Sequence, residues 1–394
     1  MSKKYLFLVG LAAAILITGS VTGYSASQMK GNKIKAAFIY VGPKSYGWSD
    51  MHNLGRRYVD EKFSWLETVY AEDVSKADIE HCIEHFIADE KCDIVFTTSF
   101  EFMDATIEAG KRYPDKMFFN CSGYKRAPNM GTYFAETYQL YYLNGLMAGM
   151  LNKTDKIGYV ATYPTPEVVR HINAFSLGVK ETNPRATVDV RWLFDWYSPA
   201  KARTAAESLI KEGCDVLAFT EDSPTVVKVG QEYTEKGDTV YTFGSYSPMQ
   251  KFGPDSCVSG QLVHWEILYE DILAKVYAGV YSSENLADVD YWWMLKEKAV
   301  ELGSEFGVPI NTRFESIFKE KKIIGPLLGE ISISDLIMRR LKQMSEETVL
   351  FDPFTGPIKD QAGNVRIKAG CRASHNELWQ INWFVDNVIG KIPH

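Results

Sequence analysis

Residues 34–42 read IKAAFIYVG, an apolar run that stops at a glycine. A strand with one wet face alternates polar and apolar residues. This run does not alternate, which suits a central parallel strand covered on both sides. Just beyond it, Ser49 can cap a segment in which Met51, Leu54 and Tyr58 recur at helical spacing. The alternation continues with a strand at 67–70 and a helix striped by Ile79, Ile83, Phe86 and Ile87. Residues 93–99 (DIVFTTS) and 117–122 (MFFNCS) give two further strands with a helix between them. Strands alternating with helices predict a doubly wound α/β unit.

The pattern then restarts. Residues 156–163 (KIGYVATY) form a strand, after which Thr165, Pro166 and Glu167 open a helix with proline at its first position. Runs at 187–195, 215–220 and 239–245 continue the series, and 257–263 adds a strand before a helix over 265–278. Two such units in tandem imply two lobes joined by a hinge. The first is expected over 34–135, with return segments from about 264–394, and the second over 136–260. Crossings between them are expected near 131–136, 257–263 and 300–306.

The 394 residues are 46% hydrophobic and 24% charged, proportions of a globular chain. Net charge is −7, and positive charge is no denser than the pairs Arg56-Arg57 and Arg339-Arg340. That composition argues against nucleic acid as a partner, since neutralising phosphates needs a concentrated basic surface. At the N-terminus, Lys3-Lys4 precede an apolar run and then Ser25-Ala26-Ser27, a small-x-small exit. Residues 1–27 therefore read as a secretory signal peptide, with an uncleaved anchor as the alternative. No cysteine lies in this stretch to carry a lipid, so an exported protein without a lipid anchor is expected. The six cysteines form no C-x-x-C pair, and Cys92, Cys121 and Cys214 flank buried-looking strands. Small buried hydrophobes is the reading preferred over disulfides.

Open α/β sheets bind ligands at the carboxyl ends of their strands. Here those ends carry Gly47-Trp48, Ser99-Phe100-Glu101-Phe102, Tyr124, Tyr163, Trp196-Tyr197, Asp222-Ser223 and Ser245-Tyr246, with Trp265 after the last strand. Many aromatics and few charges suit a flat ring held between π-faces and oriented by a carboxylate. Core packing is the competing reading for Trp48, Trp196 and Trp265, and helix capping the one for Asp222. No Walker, dinucleotide or nucleophile-elbow string occurs, and no cofactor is implied. His81, Glu84 and His85 match H-x-x-E-H, but the apolar stripe of the same helix must face the sheet. These histidines are therefore expected on a solvated face without a metal.

Several ordered strings carry a family resemblance: TTSFEFMD at 97–104, GYKR at 123–126, GTYFAE at 131–136 and PEVVRHINAF at 166–175. WYSP at 196–199, DSP at 222–224, FTGPIKD at 354–360 and NWFVDNVIG at 382–390 extend it over about 34–390. The chain resembles the BMP family, the basic membrane protein or purine-nucleoside-receptor-like substrate-binding proteins of ABC transporters. The resemblance implies a type I periplasmic-binding-protein fold, a purine base or nucleoside as ligand, and an ABC permease as partner. It also implies base stacking by Trp48 and ligand contacts by Trp196 and Asp222. The chain departs from the family pattern at Ser45-Tyr46, at Val263-His264-Trp265 and in a longer stretch at 323–349. Two alternatives remain at this level: a sensor for the same ligand, and a nucleoside hydrolase using Asp222 as base. The second finds only scattered carboxylates, Glu101, Glu167, Glu221 and Asp222, at the strand ends.

Overall fold

The computed structural model describes residues 33–45, 47–325 and 329–393; the expected leader lies outside them. The first lobe alternates β1 (Ile34–Ile39), α1 (Gly47–Lys62), β2 (Leu66–Ala71), α2 (Ile79–Ala88), β3 (Ile94–Thr97), α3 (Met103–Arg112), β4 (Met117–Cys121) and β5 (Met130–Ala135). The chain then crosses over. The second lobe runs α4 (Tyr138–Leu151), β6 (Lys156–Ala161), α5 (Pro166–Thr182), β7 (Thr187–Trp192), α6 (Pro199–Lys211), β8 (Val216–Phe219), α7 (Thr225–Glu235), β9 (Tyr241–Gly244) and β10 (Cys257–Val263). Helix α8 (Trp265–Tyr277) and strand β11 (Asp290–Trp293) return to the first lobe, where β11 pairs in parallel with β5.

The first sheet has the order β11-β5-β4-β3-β1-β2. The second adds β12 (Val300–Leu302) and a last strand, β17 (Val388–Ile389), in the order β12-β10-β9-β8-β6-β7-β17. This corrects the expected path of the C-terminal third. Among the described residues only the α8–β11 segment adds a strand to the first lobe's sheet, because β12 pairs with β10 and β17 with β7. Between them lie α9 (Glu315–Glu320), a hairpin of β13 (Lys322–Gly325) and β14 (Gly329–Ser332), and α10 (Ile333–Ser345), which packs on α4. A second hairpin, β15 (Ile358–Lys359) with β16 (Val365–Ile367), precedes α11 (His375–Trp379), which packs on α5.

Aromatic residues on adjacent strands form the first lobe's core. Phe38 on β1 faces Phe96 on β3, which faces Phe119 on β4, with ring centroids 4.7 and 5.3 Å apart. Tyr269 of α8 meets Phe38 and Phe96 edge-on, so the returning helix completes this core. Each such pair adds about 0.5–1.5 kcal/mol beyond the area it buries. On α2 the stripe of Ile79, Ile83, Phe86 and Ile87 is buried, while His81, Glu84 and His85 are exposed as the periodicity requires. The buried set also includes Cys92, Cys121, Cys214 and Cys257.

Two ion clusters brace the crossings. Glu136, directly after β5, accepts from Arg170 Nε and His171 Nε2 of α5, both at 2.9 Å, and from the Tyr138 amide at 2.8 Å. The carboxylate, guanidinium and imidazole are fully buried, and the guanidinium lies 4.7 Å above the Trp292 ring. Burial alone would raise the Glu136 carboxyl, but Arg170 and His171 outweigh it and hold it at about 2. At the second crossing, His264 bonds Glu266 at 2.7 Å and Glu301 at 2.9 Å. Burial would lower this imidazole, yet the two carboxylates lift it from 6.5 to about 9. Its charged form therefore adds stability below about pH 6.5 that disappears as pH rises through 9. Thermal melts should fall across that window, and His264→Gln should flatten the fall. An unchanged slope in the variant would contradict the bridge.

Helices α4 and α5 approach closely. On α4 every residue but Met150 is buried. A Cβ at Gly145 would lie 2.0 Å from the Phe175 carbonyl oxygen, and one at Gly178 would lie 2.1 Å from that of Tyr142. Both obstructions are backbone and cannot swing aside. Gly145→Val should therefore cost about 1–3 kcal/mol in denaturant unfolding; an unshifted midpoint would contradict this packing.

Candidate functional site

Seven strands deliver residues to one space between the lobes, all from their carboxyl ends. From the first lobe come Val41 after β1, Trp48 in the first turn of α1, Thr98, Ser99 and Phe100 after β3, and Ser122 after β4. The second lobe supplies Glu167 in the first turn of α5, Trp196 after β7, Thr220 and Asp222 after β8, and Tyr246 after β9. Among them lies about 410 Å³ of atom-free space, part of it open to solvent. Among these described residues none carries a positive side chain, so an anionic ligand would meet two carboxyls and no counter-charge.

The lobes touch across this space. Asp222 accepts the backbone N–H of Trp48, so its carboxylate sits at the N-terminus of α1 in the opposite lobe. Orphan amides and the helix dipole favour a negative group there. Burial pushes the Asp222 carboxyl well above the usual range, against the pull of the Trp48 amide. Gly47 adjoins it at φ +70°, and a Cβ there would lie 2.1 Å from Asp222 Oδ1 and 2.4 Å from its carbonyl oxygen. Only glycine fits that position. Two more bonds span the lobes: the Gly47 amide donates to Ser247 Oγ at 3.0 Å, and Trp196 Nε1 donates to the Glu101 carboxylate at 3.0 Å.

Of the residues expected at the site, Trp48, Ser99, Phe100, Trp196, Asp222 and Tyr246 line the space, and Gly47 forms part of its rim contact. Trp48 is both wall and core. It is 8% exposed, donates Nε1 to the Thr98 carbonyl at 2.7 Å, and meets Tyr246 edge-on at 5.0 Å. Tyr163 stays beside the site, its ring 5.1 Å from that of Trp196.

Other expected residues fall elsewhere. Trp265 is fully buried behind Trp48, stacked on His52 at 4.0 Å, because β10 crosses lobes and ends inside the first lobe's core. Phe102 turns to the other face of the sheet and packs with Ile39 and Val95. Tyr124 and Tyr197 are 54% and 39% exposed, outside the enclosed space. Ser223 bonds back to Glu221 at 2.6 Å, and Ser245 lies 3.4 Å from the Tyr141 hydroxyl.

Sequence reasoning omitted Val41, Thr98, Ser122 and Thr220 from the site, and counted Glu167 only among scattered strand-end carboxylates rather than as a ligand contact. For Glu167 a signal existed. It is the second residue of the helix after its lobe's first strand, the position that Trp48 occupies in α1. Residues Ser122 and Tyr246 carry backbone φ of 61° and 59°, unusual for side chains of their size, and sequence gives no sign of it.

Among the described residues no group of histidine, cysteine and acidic side chains is arranged to hold a metal, and no helix is long and apolar enough to cross a membrane. Over residues 33–335 the chain matches the family model described as Bmp, the ABC transporter substrate-binding protein PnrA-like family. A purine-binding protein of Brucella abortus is 33% identical over 364 residues, 92% of this chain and 94% of its own. A putative ABC transporter glucose-binding protein of Haloferax volcanii is 36% identical, covering 75% of this chain and 73% of its own. The crystal structure of an ABC transporter solute-binding protein from Aeropyrum pernix superposes with a TM-score of 0.60 at 18% identity, over 79% of this chain and 86% of that one. The family and these relatives are solute-binding proteins, not enzymes. The chain thus belongs to the Bmp family and is a two-lobed substrate-binding protein of the ABC transporter type.

Proposed function

We propose that the interlobe space takes a purine, as free base or nucleoside, and that the protein presents it to an ABC permease outside the cytoplasmic membrane. One observation carries this reading: Trp48 and Trp196, from opposite lobes, line one space whose described lining holds no cationic side chain. A planar uncharged ring gains from stacking there, whereas a phosphate or carboxylate would be left unpaired. The purine-binding relative, similar over nearly the whole chain, supports the same ligand class.

A ligand that binds only the folded protein raises its stability by about 2.7 kcal/mol at a hundredfold excess over Kd. In thermal-shift assays, purine bases or nucleosides should raise the melting temperature, and glucose should leave it unchanged. Stabilisation by glucose with none by any purine would overturn the proposal in favour of a sugar ligand.

The tryptophans separate binding from folding. Trp196 is half-buried, so Trp196→Ala should weaken purine binding about tenfold to a hundredfold while melting stays near wild type. Trp265 is fully buried, and Trp265→Ala should cost about 3–5 kcal/mol of stability. Calorimetric titration beside thermal melting reads both; unchanged affinity in Trp196→Ala would remove that indole from the site.

A further inference from the structure

Most polar groups lining the space are already committed to protein partners. The Trp48 indole N–H donates to the Thr98 carbonyl at 2.7 Å and that of Trp196 to Glu101 at 3.0 Å. Asp222 closes the N-terminus of α1. Glu167 differs. Glu167 is 7% exposed and lines the space, and its carboxyl receives a long bond from the Tyr246 hydroxyl at 3.4 Å. A carboxyl group can take part in about four hydrogen bonds, so most of its capacity is unused. Thr220 lines the same space, and its buried hydroxyl has no hydrogen-bond partner. Such a group ordinarily costs stability, which a ligand would relieve.

The backbone supplies an independent sign. Ser122 and Tyr246, one from each lobe, both sit in the left-handed region, at φ 61° and 59°. Burial raises the Glu167 carboxyl above its usual range, the Ser122 hydroxyl is close enough to pull it part of the way back, and the Tyr246 hydroxyl bonds it directly. Two strained residues converge on one under-used buried carboxyl, and strain of this kind gathers at ligand clamps.

We propose that Glu167, with the Thr220 hydroxyl, pairs with the hydrogen-bonding edge of the bound ligand and so determines which purine the protein selects. This rests on the purine reading above. Stacking on Trp48 and Trp196 accepts any flat ring, whereas a fixed pair of polar groups distinguishes one order of donors and acceptors from its inverse. Adenine and hypoxanthine present such inverse orders: adenine has an acceptor at N1 and a donor at C6, and hypoxanthine a donor at N1 and an acceptor at C6.

The test titrates wild type, Glu167→Gln and Thr220→Val with adenine and with hypoxanthine by calorimetry, and melts each protein without ligand. Glu167→Gln keeps the shape but replaces one oxygen by an N–H donor. The ratio of the two affinities should change by about tenfold or more. Thr220→Val keeps the shape and removes the hydroxyl, so the ligand-free protein should still melt cooperatively while the affinity for the preferred base falls severalfold. An unchanged ratio in Glu167→Gln, or equal weakening of both bases, would overturn the assignment, as would full affinity in Thr220→Val. Wild type that binds neither base nor their nucleosides would instead sink the purine reading itself.

Discussion

A buried carboxyl group needs fixed partners to replace the water it has lost. Asp222 finds its donor at the first turn of a helix in the other lobe. The positions of several neighbours follow from that contact. Gly47 must lack a side chain, because Asp222 fills the space a Cβ would take. Trp48 follows immediately, so its indole is fixed beside the cleft. The amide of Asp222 donates to the Trp196 carbonyl at 3.1 Å, which ties the second indole to the same residue. One residue of the second lobe, through its carboxyl and its amide, therefore ties down the chain beside an aromatic on each side of the interlobe space. The lobes need not be rigidly joined elsewhere for the cleft to have a defined closed form.

The crossings do the complementary work. Strand β5 enters the second lobe at Glu136, whose carboxylate is held by two side chains of α5 and by the Tyr138 amide. Removing one member of a buried pair typically costs about 3–5 kcal/mol, because the other is left uncompensated. The cluster therefore anchors this crossing. The second, at His264, joins Glu266 at the start of α8 to Glu301 of β12, and is partly open to solvent. Closure by a hinge needs lobes that stay intact while a few connecting residues turn. The glycine contacts between α4 and α5 and the aromatic ladder of the first sheet supply that stiffness.

Much of this was legible in the sequence because central strands and amphipathic helices leave strong patterns. The run at 34–42 contains β1, and the α2 stripe placed His81 and His85 outside without reference to any motif. Trp48, Trp196 and Asp222 could be nominated because strand ends are where open sheets bind. The failures have equally physical causes. Trp265 also follows a strand, but that strand delivers the chain into the first lobe's core. Phe102 follows Phe100 by two residues, which on a tight helical turn is enough to face the opposite side. An acid in a helix's first turn, such as Glu167, is ordinary dipole chemistry in sequence and reveals its role only when a cleft lies above it. Strands as short as β12 and β17 carry no period, so the C-terminal path was not readable.

The central claim is that Asp222 positions both tryptophans over a planar ligand. A crystal structure grown with the purine that binds most tightly tests it directly. The account predicts the ring in contact with the Trp48 and Trp196 indoles, with the Asp222 carboxylate still on the Trp48 amide. A ring bound elsewhere, or an Asp222 carboxylate turned to the ligand with the α1 N-terminus left open, would contradict it.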